Sequence, residues 1–213
     1  VCDTHTPLLF FSSKGISYRL KVYRLPVATP QARGKALVNL LPLSEGEQIT
    51  TLMPMPEDES SWGDLDIAFA TASGNVRRNR LSDFTNIMAN GKIAMKLDDG
   101  DRLVGVATCT ENDDVLLAAR SGKCIRFALD QVRVFSGRTS TGVRGIRLSG
   151  DDEIVSMSIM RHMDLDTEER DGYVRLSNAR RRAEGVNGDN GDNGDDGAAD
   201  ASEPNVSLSE EKF

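Results

Sequence analysis

One pattern of residues recurs three times in the first 160 positions, and no other feature limits the possible folds so tightly. Each copy opens on an apolar run, passes a glycine turn, and continues as a second strand-like stretch. The openings are Leu8–Phe11 with Ser13-Lys14-Gly15, Ile67–Ala70 with Ser73-Gly74, and Val115–Ala118 with Ser121-Gly122. A loop then leads to Gly34-Lys35, Gly91-Lys92 or Gly142-Val143. An acidic turn follows (Ser44-Glu45-Gly46-Glu47, Asp98-Asp99-Gly100-Asp101, Ser149-Gly150-Asp151-Asp152) before a closing strand. The closing strands begin at Ile49, Leu103 and Ile154, so the period is 54 and then 51 residues. A period near fifty with about four short strands per unit predicts an all-β, bladed, propeller-like architecture. One such unit buries too little apolar surface alone, so neighbours must stack.

Local patterns agree with strands. Ile16, Tyr18, Leu20 and Val22 alternate with Ser17, Arg19, Lys21 and Tyr23, which predicts one dry and one wet face. Gly15, Gly74 and Gly122 lie between strand-like runs, where a hairpin turn needs positive φ. Pro54–Leu65 reads as a loop between the first two blades, with Trp62 as a local plug. Beyond residue 160 the pattern changes. Asp166 and Glu169 match a capping box and predict a helix from Thr167 to about Glu184, ended by Gly185, with Gly172 as its weak point. The Asn-Gly-Asp tract from Asn187 has little to bury and reads as a disordered acidic tail. A calcium loop fits poorly, because its Asp residues fall three apart and no Glu closes it. The expected organisation is a partial β-wheel over 1–160, a helical start of an insertion over 161–185, and an acidic linker over 186–213.

Charge divides along the same line. Residues 1–160 carry 19 Lys+Arg and 19 Asp+Glu, whereas 161–213 carry 7 and 14. The acidic balance of the whole chain therefore belongs to its end and does not exclude an anionic partner for the repeats. Three cysteines without metal-type or disulfide spacing suit a reducing, cytoplasmic setting. No apolar stretch is long enough to cross a membrane, and no signal peptide is visible. The ends, Val1 without Met and Phe213, read as cut from a longer protein.

Chemistry by side chains finds no support. His5 and His162 are the only histidines and read as surface residues. No phosphate-cradling glycine motif occurs, and the paired carboxylates sit in turns, where they serve turn geometry. No metal, cofactor or catalytic group is expected in this segment. The bases form the positive pattern. An arginine follows each hairpin glycine by four positions: Arg19, Arg78 and Arg126. Lys14 and Lys21, Arg77 and Arg80, and Lys123 cluster around the same strands. A second set follows the loop: Arg33 and Lys35, then Lys92, then Arg138 and Arg144. If the repeats are blades, these thirteen residues line one rim, and such a band is the footprint of contact with a phosphate backbone. It would fix position rather than read bases. Charged wet faces are also ordinary on strands, so a propeller that grips a protein partner stays open on this pattern alone.

Several segments resemble a known family. Phe11-Ser12-Ser13-Lys14-Gly15, Ala32-Arg33-Gly34-Lys35, Val38-Asn39-Leu40-Leu41-Pro42-Leu43, Gly91-Lys92-Ile93-Ala94-Met95-Lys96-Leu97 and Thr141-Gly142-Val143-Arg144-Gly145-Ile146-Arg147-Leu148 are similar to the C-terminal domain of the DNA gyrase A subunit. The similarity runs from Val1 to about Met160. It implies a six-bladed β-pinwheel of which blades two to four are present, with a basic rim that wraps duplex DNA. It implies a parent that is an ATP-dependent type II topoisomerase, negatively supercoiling DNA in the bacterial cytoplasm. Partners implied are the gyrase B subunit, together with a second A subunit, reached through other regions, where ATP and Mg would also act. The family's basic heptapeptide belongs to the first blade and is not carried onto Gln31-Ala32-Arg33-Gly34-Lys35. Its cleavage tyrosine is not assigned to Tyr18, Tyr23 or Tyr173. The helix and acidic tract stand where the fifth blade would begin and resemble an insertion. The topoisomerase IV A subunit carries a similar wheel and remains the alternative within this class.

Overall fold

The computed structural model describes residues 2–164 and 166–183. It divides into two compact units, 1–162 and 163–213. The acidic tail and the calcium alternative lie outside the described residues.

The first unit is built from three antiparallel hairpins, each with a closing strand. They are β1 (Pro7–Ser12), β2 (Ile16–Lys21) and β3 (Ile49–Pro54), then β4 (Asp66–Thr71), β5 (Asn75–Arg80) and β7 (Leu103–Cys109), then β8 (Asp113–Ala119), β9 (Cys124–Ala128) and β11 (Ile154–Arg161). Two short strands, β6 (Lys92–Ile93) and β10 (Val143–Arg144), complete the set. The sheet orders are β3-β1-β2-β6, β10-β5-β4-β7 and β11-β8-β9. The fourth strand of each complete blade thus comes from the following copy. The expected four strands are present in the first two blades and three in the third, and the sequence repeat and the structural blade are offset by one strand. Backbone geometry demands this exchange. The carbonyl of Gly15 accepts from the N–H groups of Ala94 and Met95, and that of Gly74 from Gly145 and Ile146. Leu103 N–H donates to Ser13 and Ile154 N–H to Ala72, at 3.0 and 2.9 Å, so the closing strands are also tied to the preceding copy.

The hairpin glycines adopt φ of +73°, +88° and +85° at Gly15, Gly74 and Gly122, as the turn requires. Between the first two blades lies an apolar cluster around Phe11, Phe69 and Phe84, whose rings meet at 5.6–5.9 Å. Between the second and third lies one around Val76, Leu117 and Leu129. Trp62 is buried in a 3₁₀ turn (Glu59–Gly63), and its indole N–H donates to Pro56 O at 2.9 Å, as expected of a plug.

The expected wet face of the second hairpin strand is wet only at its far end: Lys21 and Tyr23 are exposed, whereas Arg19 is half-buried and Ser17 buried. In the second copy Arg77, Arg78 and Asn79, which alternate between the two faces, are all buried. The exchanged strand and its loop run along these edges: Ser17 pairs with Lys92 in the first blade, and Phe135 N–H bonds Arg78 O in the second.

In the second unit α1 spans Thr167–Ala183. The capping box forms: Glu169 N–H donates to Asp166 Oδ1 at 2.8 Å and Asp166 N–H to Glu169 Oε2 at 3.2 Å. Glu168 and Glu169 in the first turn and Arg180–Arg182 in the last complement the helix dipole. Among the described residues no helix is long and apolar enough to cross a membrane.

Candidate nucleic-acid interface

The arginines four positions after each hairpin glycine do not form a uniform outward band: Arg78 is buried and Arg19 half-buried, which corrects the expectation for those two, whereas Arg126 is exposed but ion-paired with Asp114. Their strand register explains why. Eight positions before the glycines stand Pro7, Asp66 and Asp114. Antiparallel pairing brings those positions diagonally beside the arginines. Arg78 Nε lies 3.6 Å from Asp66 Oδ2, with both side chains buried. Arg126 Nε donates to Asp114 Oδ2 at 2.6 Å, and His162 Nδ1 contacts Asp114 Oδ1 at 2.7 Å. His162 is thus part of a polar cluster rather than a bare surface residue. The first copy has Pro7 in place of the carboxylate, and Arg19 Nη1 instead donates to the Thr85 carbonyl of the crossing loop. These arginines staple strands and copies together.

Asp66 is also 3.1 Å from Arg80 Nη1, yet burial pushes its carboxyl up and the guanidiniums of Arg80 and Arg78 offset that only in part. Cys109, its partner in register, has its thiol pushed up to about 12 by burial and then by Asp66. Burial also opposes ionisation of Asp114, but the bonds from His162 and Arg126 outweigh it and hold the carboxyl below its ordinary range.

Arg77 is another correction: it is fully buried rather than on a rim. Its Nη1 donates to Ser140 O at 2.8 Å, and its guanidinium lies 5.3 Å from the Phe135 ring centroid. Burial, then the charge of Arg138, lowers its pKa to about 10.

The other predicted bases sit nearer solvent. Lys14 is exposed and its Nζ donates to Glu45 O at 2.7 Å. Lys123 Nζ donates to Ser149 Oγ at 3.3 Å, in the matching turn of the third copy. Half-buried Lys92 donates to Asn86 O at 3.2 Å, and Arg138 donates to Asp83 O at 3.0 Å while lying 5.9 Å from the Phe84 ring. Lys21, Arg33, Lys35 and Arg144 are exposed. None of these eight makes an ion pair among the described residues. The ion pairs of the first unit instead use Arg78, Arg80, Arg102, Arg120, Arg126 and the two histidines.

The carboxylates of the acidic turns are occupied locally. Asp101 accepts from the Ser73 N–H and hydroxyl at 3.0 and 2.7 Å, and Asp152 from those of Ser121 at 3.0 and 2.6 Å. The Ser121 hydroxyl bond, helped by the Ser121 and Glu153 N–H groups, holds the Asp152 carboxyl below its ordinary range. They fasten one turn to the next, Asp152 with the charge of Lys123 nearby.

Two of those eight bases, Lys21 and Arg144, line clefts where a hairpin meets a crossing segment, the first in company with bases outside the eight. A cleft of about 270 Å³ holds Arg19, Lys21 and Arg24 against Ile87 and Ala89. A second of about 190 Å³ is lined by the 133–140 loop, including Arg133. A third of about 220 Å³ has Arg144 beside Ile125 and Phe127. No carboxylate among the described residues lines any of the three. In contrast, the cleft beside Trp62 is lined by Asp3, Glu57 and Glu59. Sequence reasoning missed Arg24 and Arg133, which fall outside the repeated positions; only the clefts reveal them.

The model of the DNA gyrase C-terminal domain, a β-propeller, matches residues 6–54, 65–110 and 113–159. The DNA gyrase A subunit of Granulibacter bethesdensis is 58% identical over 182 residues, covering 84% of this chain and 19% of that protein. Its counterpart from Rickettsia bellii is 49% identical over 177 residues, 83% of this chain and 20% of its own length. Among solved structures, a DNA gyrase A C-terminal domain superposes with a TM-score of 0.58 at 25% identity, covering 73% of this chain and 48% of that one. The C-terminal domain of DNA topoisomerase IV superposes with a TM-score of 0.67 at 24% identity, over 76% and 50%, which shows the fold alone. The chain spans about a fifth of the length of the curated relatives it matches. Three blades, their exchanged strands and the family match together make this chain a member of the DNA gyrase C-terminal domain family.

Proposed function

We propose that this chain binds duplex DNA through its phosphates, without reading sequence, and curves it as part of an A subunit that wraps DNA for negative supercoiling. One observation carries the reading. The clefts at the crossing segments are lined by bases and by no carboxylate among the described residues. Phosphate contacts of this kind position a duplex but carry no base information. Bending 20–30 bp by 40–90° costs on the order of 1–6 kcal/mol, so several contacts per blade are needed to offset it. ATP, Mg, the gyrase B subunit, with a second A subunit, belong on this reading to other parts of the parent.

The test is the salt dependence of binding to unrelated duplexes. Lys21, Arg24, Arg33 and Lys35 are exposed and without ion pairs among the described residues, so exchanging all four for Gln leaves the core intact. The slope of log K against log salt should fall in magnitude by up to about 3.6, roughly 0.9 per lost phosphate contact. The loss should be the same on every duplex sequence. An unchanged slope in a folded variant rejects the assignment of these residues.

A further inference from the structure

Arg77 lacks the ion pair that the stapling arginines Arg78 and Arg126 have. Its side chain is fully buried, and Nε and Nη2 have no hydrogen-bond partner. Its charged neighbours are a cation, Arg138, and the Asp83 carboxylate, which offsets only part of the effect of burial, and a third cation, Arg133, lies 4.3 Å from the Phe135 ring that Arg77 also approaches. The nearby Asp83 carboxylate accepts from Asn79 Nδ2 at 3.4 Å. The fold does not require a cation here, because the equivalent positions three residues after Gly15 and Gly122 hold Tyr18 and Ile125. A buried guanidinium with no ion-pair partner and two unpaired nitrogens is unfavourable, and a bound water or anion is one way such groups are satisfied.

An anion has a place to sit there. Phe135 and Ser140, the two residues that Arg77 touches, line the 190 Å³ cleft, together with Arg133, Ser136, Gly137 and Thr139. That volume exceeds several waters at roughly 30 Å³ each. Its wall offers hydroxyls and an exposed guanidinium and no carboxylate among the described residues.

We infer that this cleft is a discrete seat for one phosphate group, held by Arg133, Ser136 and Thr139 in front, with Arg77 and Arg138 supplying positive charge from behind. The seat rests partly on the DNA-binding reading, since a backbone phosphate is one source of the group. Free inorganic phosphate is the other.

The experiment uses the 213-residue chain, Arg133→Gln and Arg133→Gln/Arg138→Gln. Ser136→Ala/Thr139→Ala serves as a second probe, because Arg138 also bonds Asp83 O and its loss can loosen the loop. One arm follows the thermal midpoint in inorganic phosphate against chloride at matched ionic strength. The other follows affinity for a duplex. A phosphate-specific rise in midpoint, at least halved in the variants, supports the seat with free phosphate as a source. Duplex binding about tenfold weaker in the variants, without that rise, supports it with the DNA backbone as the source. If neither changes, the seat is overturned. If the quadruple Lys21, Arg24, Arg33 and Lys35 variant loses duplex binding while the cleft variants keep it, the seat falls and the DNA-binding reading stands. If no variant affects duplex binding, that reading falls, and the phosphate arm alone decides the seat.

Discussion

Identical positions in a repeat take different jobs because one neighbouring residue differs. Arg78 and Arg126 face Asp66 and Asp114, while Arg19 faces Pro7 and must find a carbonyl. Arg77 has no such partner, and replacing a buried unpaired charge by an apolar side chain of similar length is often stabilising by about 1–4 kcal/mol. Arg77→Met should therefore raise the urea midpoint in phosphate-free buffer while weakening duplex binding, a trade that a purely structural arginine would not show. The alkaline limb sharpens this. Arg77 is lowered to about 10, so between pH 10 and its unfolded value the unfolded chain holds more protons and stability rises with pH. Tyr18, whose hydroxyl donates to Glu47 Oε1 at 2.9 Å, is raised to about 12 by burial and then by that bond. Over pH 10–12 the native state holds its proton longer, and stability falls. In the parent chain the Arg77 slope opposes that of Tyr18 and that of Cys109, whose thiol is likewise raised to about 12. In Arg77→Met the Tyr18 and Cys109 slopes stand unopposed, and stability should drop by up to about 2.7 kcal/mol per pH unit, roughly 1.4 for each group, in reversible urea titrations. Equal slopes in both proteins would remove the buried charge from the account. Cysteine reactivity offers a simpler check. Cys2 and Cys124 are exposed and Cys109 is buried with a raised pKa, so two thiols should react at pH 8 in the native state and the third only on unfolding.

At the scale of elements, the exchanged strand decides which turns tolerate change. Gly15, Gly74 and Gly122 share one conformation but not one environment. A Cβ on Gly15 would lie 2.3 Å from Met95 O, and one on Gly74 would lie 2.8 Å from Ile146 Cγ2. At Gly122 nothing among the described residues comes within 4 Å. Alanine at Gly122 should cost only the roughly 1–2 kcal/mol of a left-handed backbone. At Gly15 or Gly74 the crowding adds about 1–3 kcal/mol. Urea unfolding of the three variants should separate them in that order, and equal losses would mean that the exchanged strands contribute no packing constraint. The sequence shows the three turns, the closing strands, the Trp62 plug and the Asp166–Glu169 cap, because each is a local pattern. It hides the exchange, because Lys92–Ile93 and Val143–Arg144 are too short to carry an alternating signal and their partners lie about 70 residues away. That omission explains the misread rim. Arg77 and Arg78 read as surface bases because their partners are distant or diagonal in the fold: the 135–140 loop for Arg77 and Asp66 for Arg78. The Gly-minus-eight aspartates were visible, but only the antiparallel register connects them to the arginines.

For the whole molecule the governing quantity is where uncompensated charge resides. The repeats are close to neutral, yet the three clefts are lined by bases and by no carboxylate among the described residues, against a formal net charge of −7 for the chain. Residues 184–213 hold nine Asp and Glu against one Lys, a net contribution of −8 that accounts for the acidity of the chain. A polyanionic segment tethered to a DNA-binding surface raises the local concentration of competing negative charge, and that competition weakens as salt shortens the Debye length from about 10 Å at 0.1 M. Removing residues 184–213 should therefore strengthen duplex binding at 50 mM salt, and the gain over the full chain should shrink by 200 mM. The four-residue Gln variant separates competition for the cationic surface from a general charge effect. If the tract competes for Lys21, Arg24, Arg33 and Lys35, truncation should improve binding less in that variant than in the parent chain. If truncation helps both equally at every salt concentration, the acidic segment acts on the duplex through overall charge, and the exposed bases are not its target.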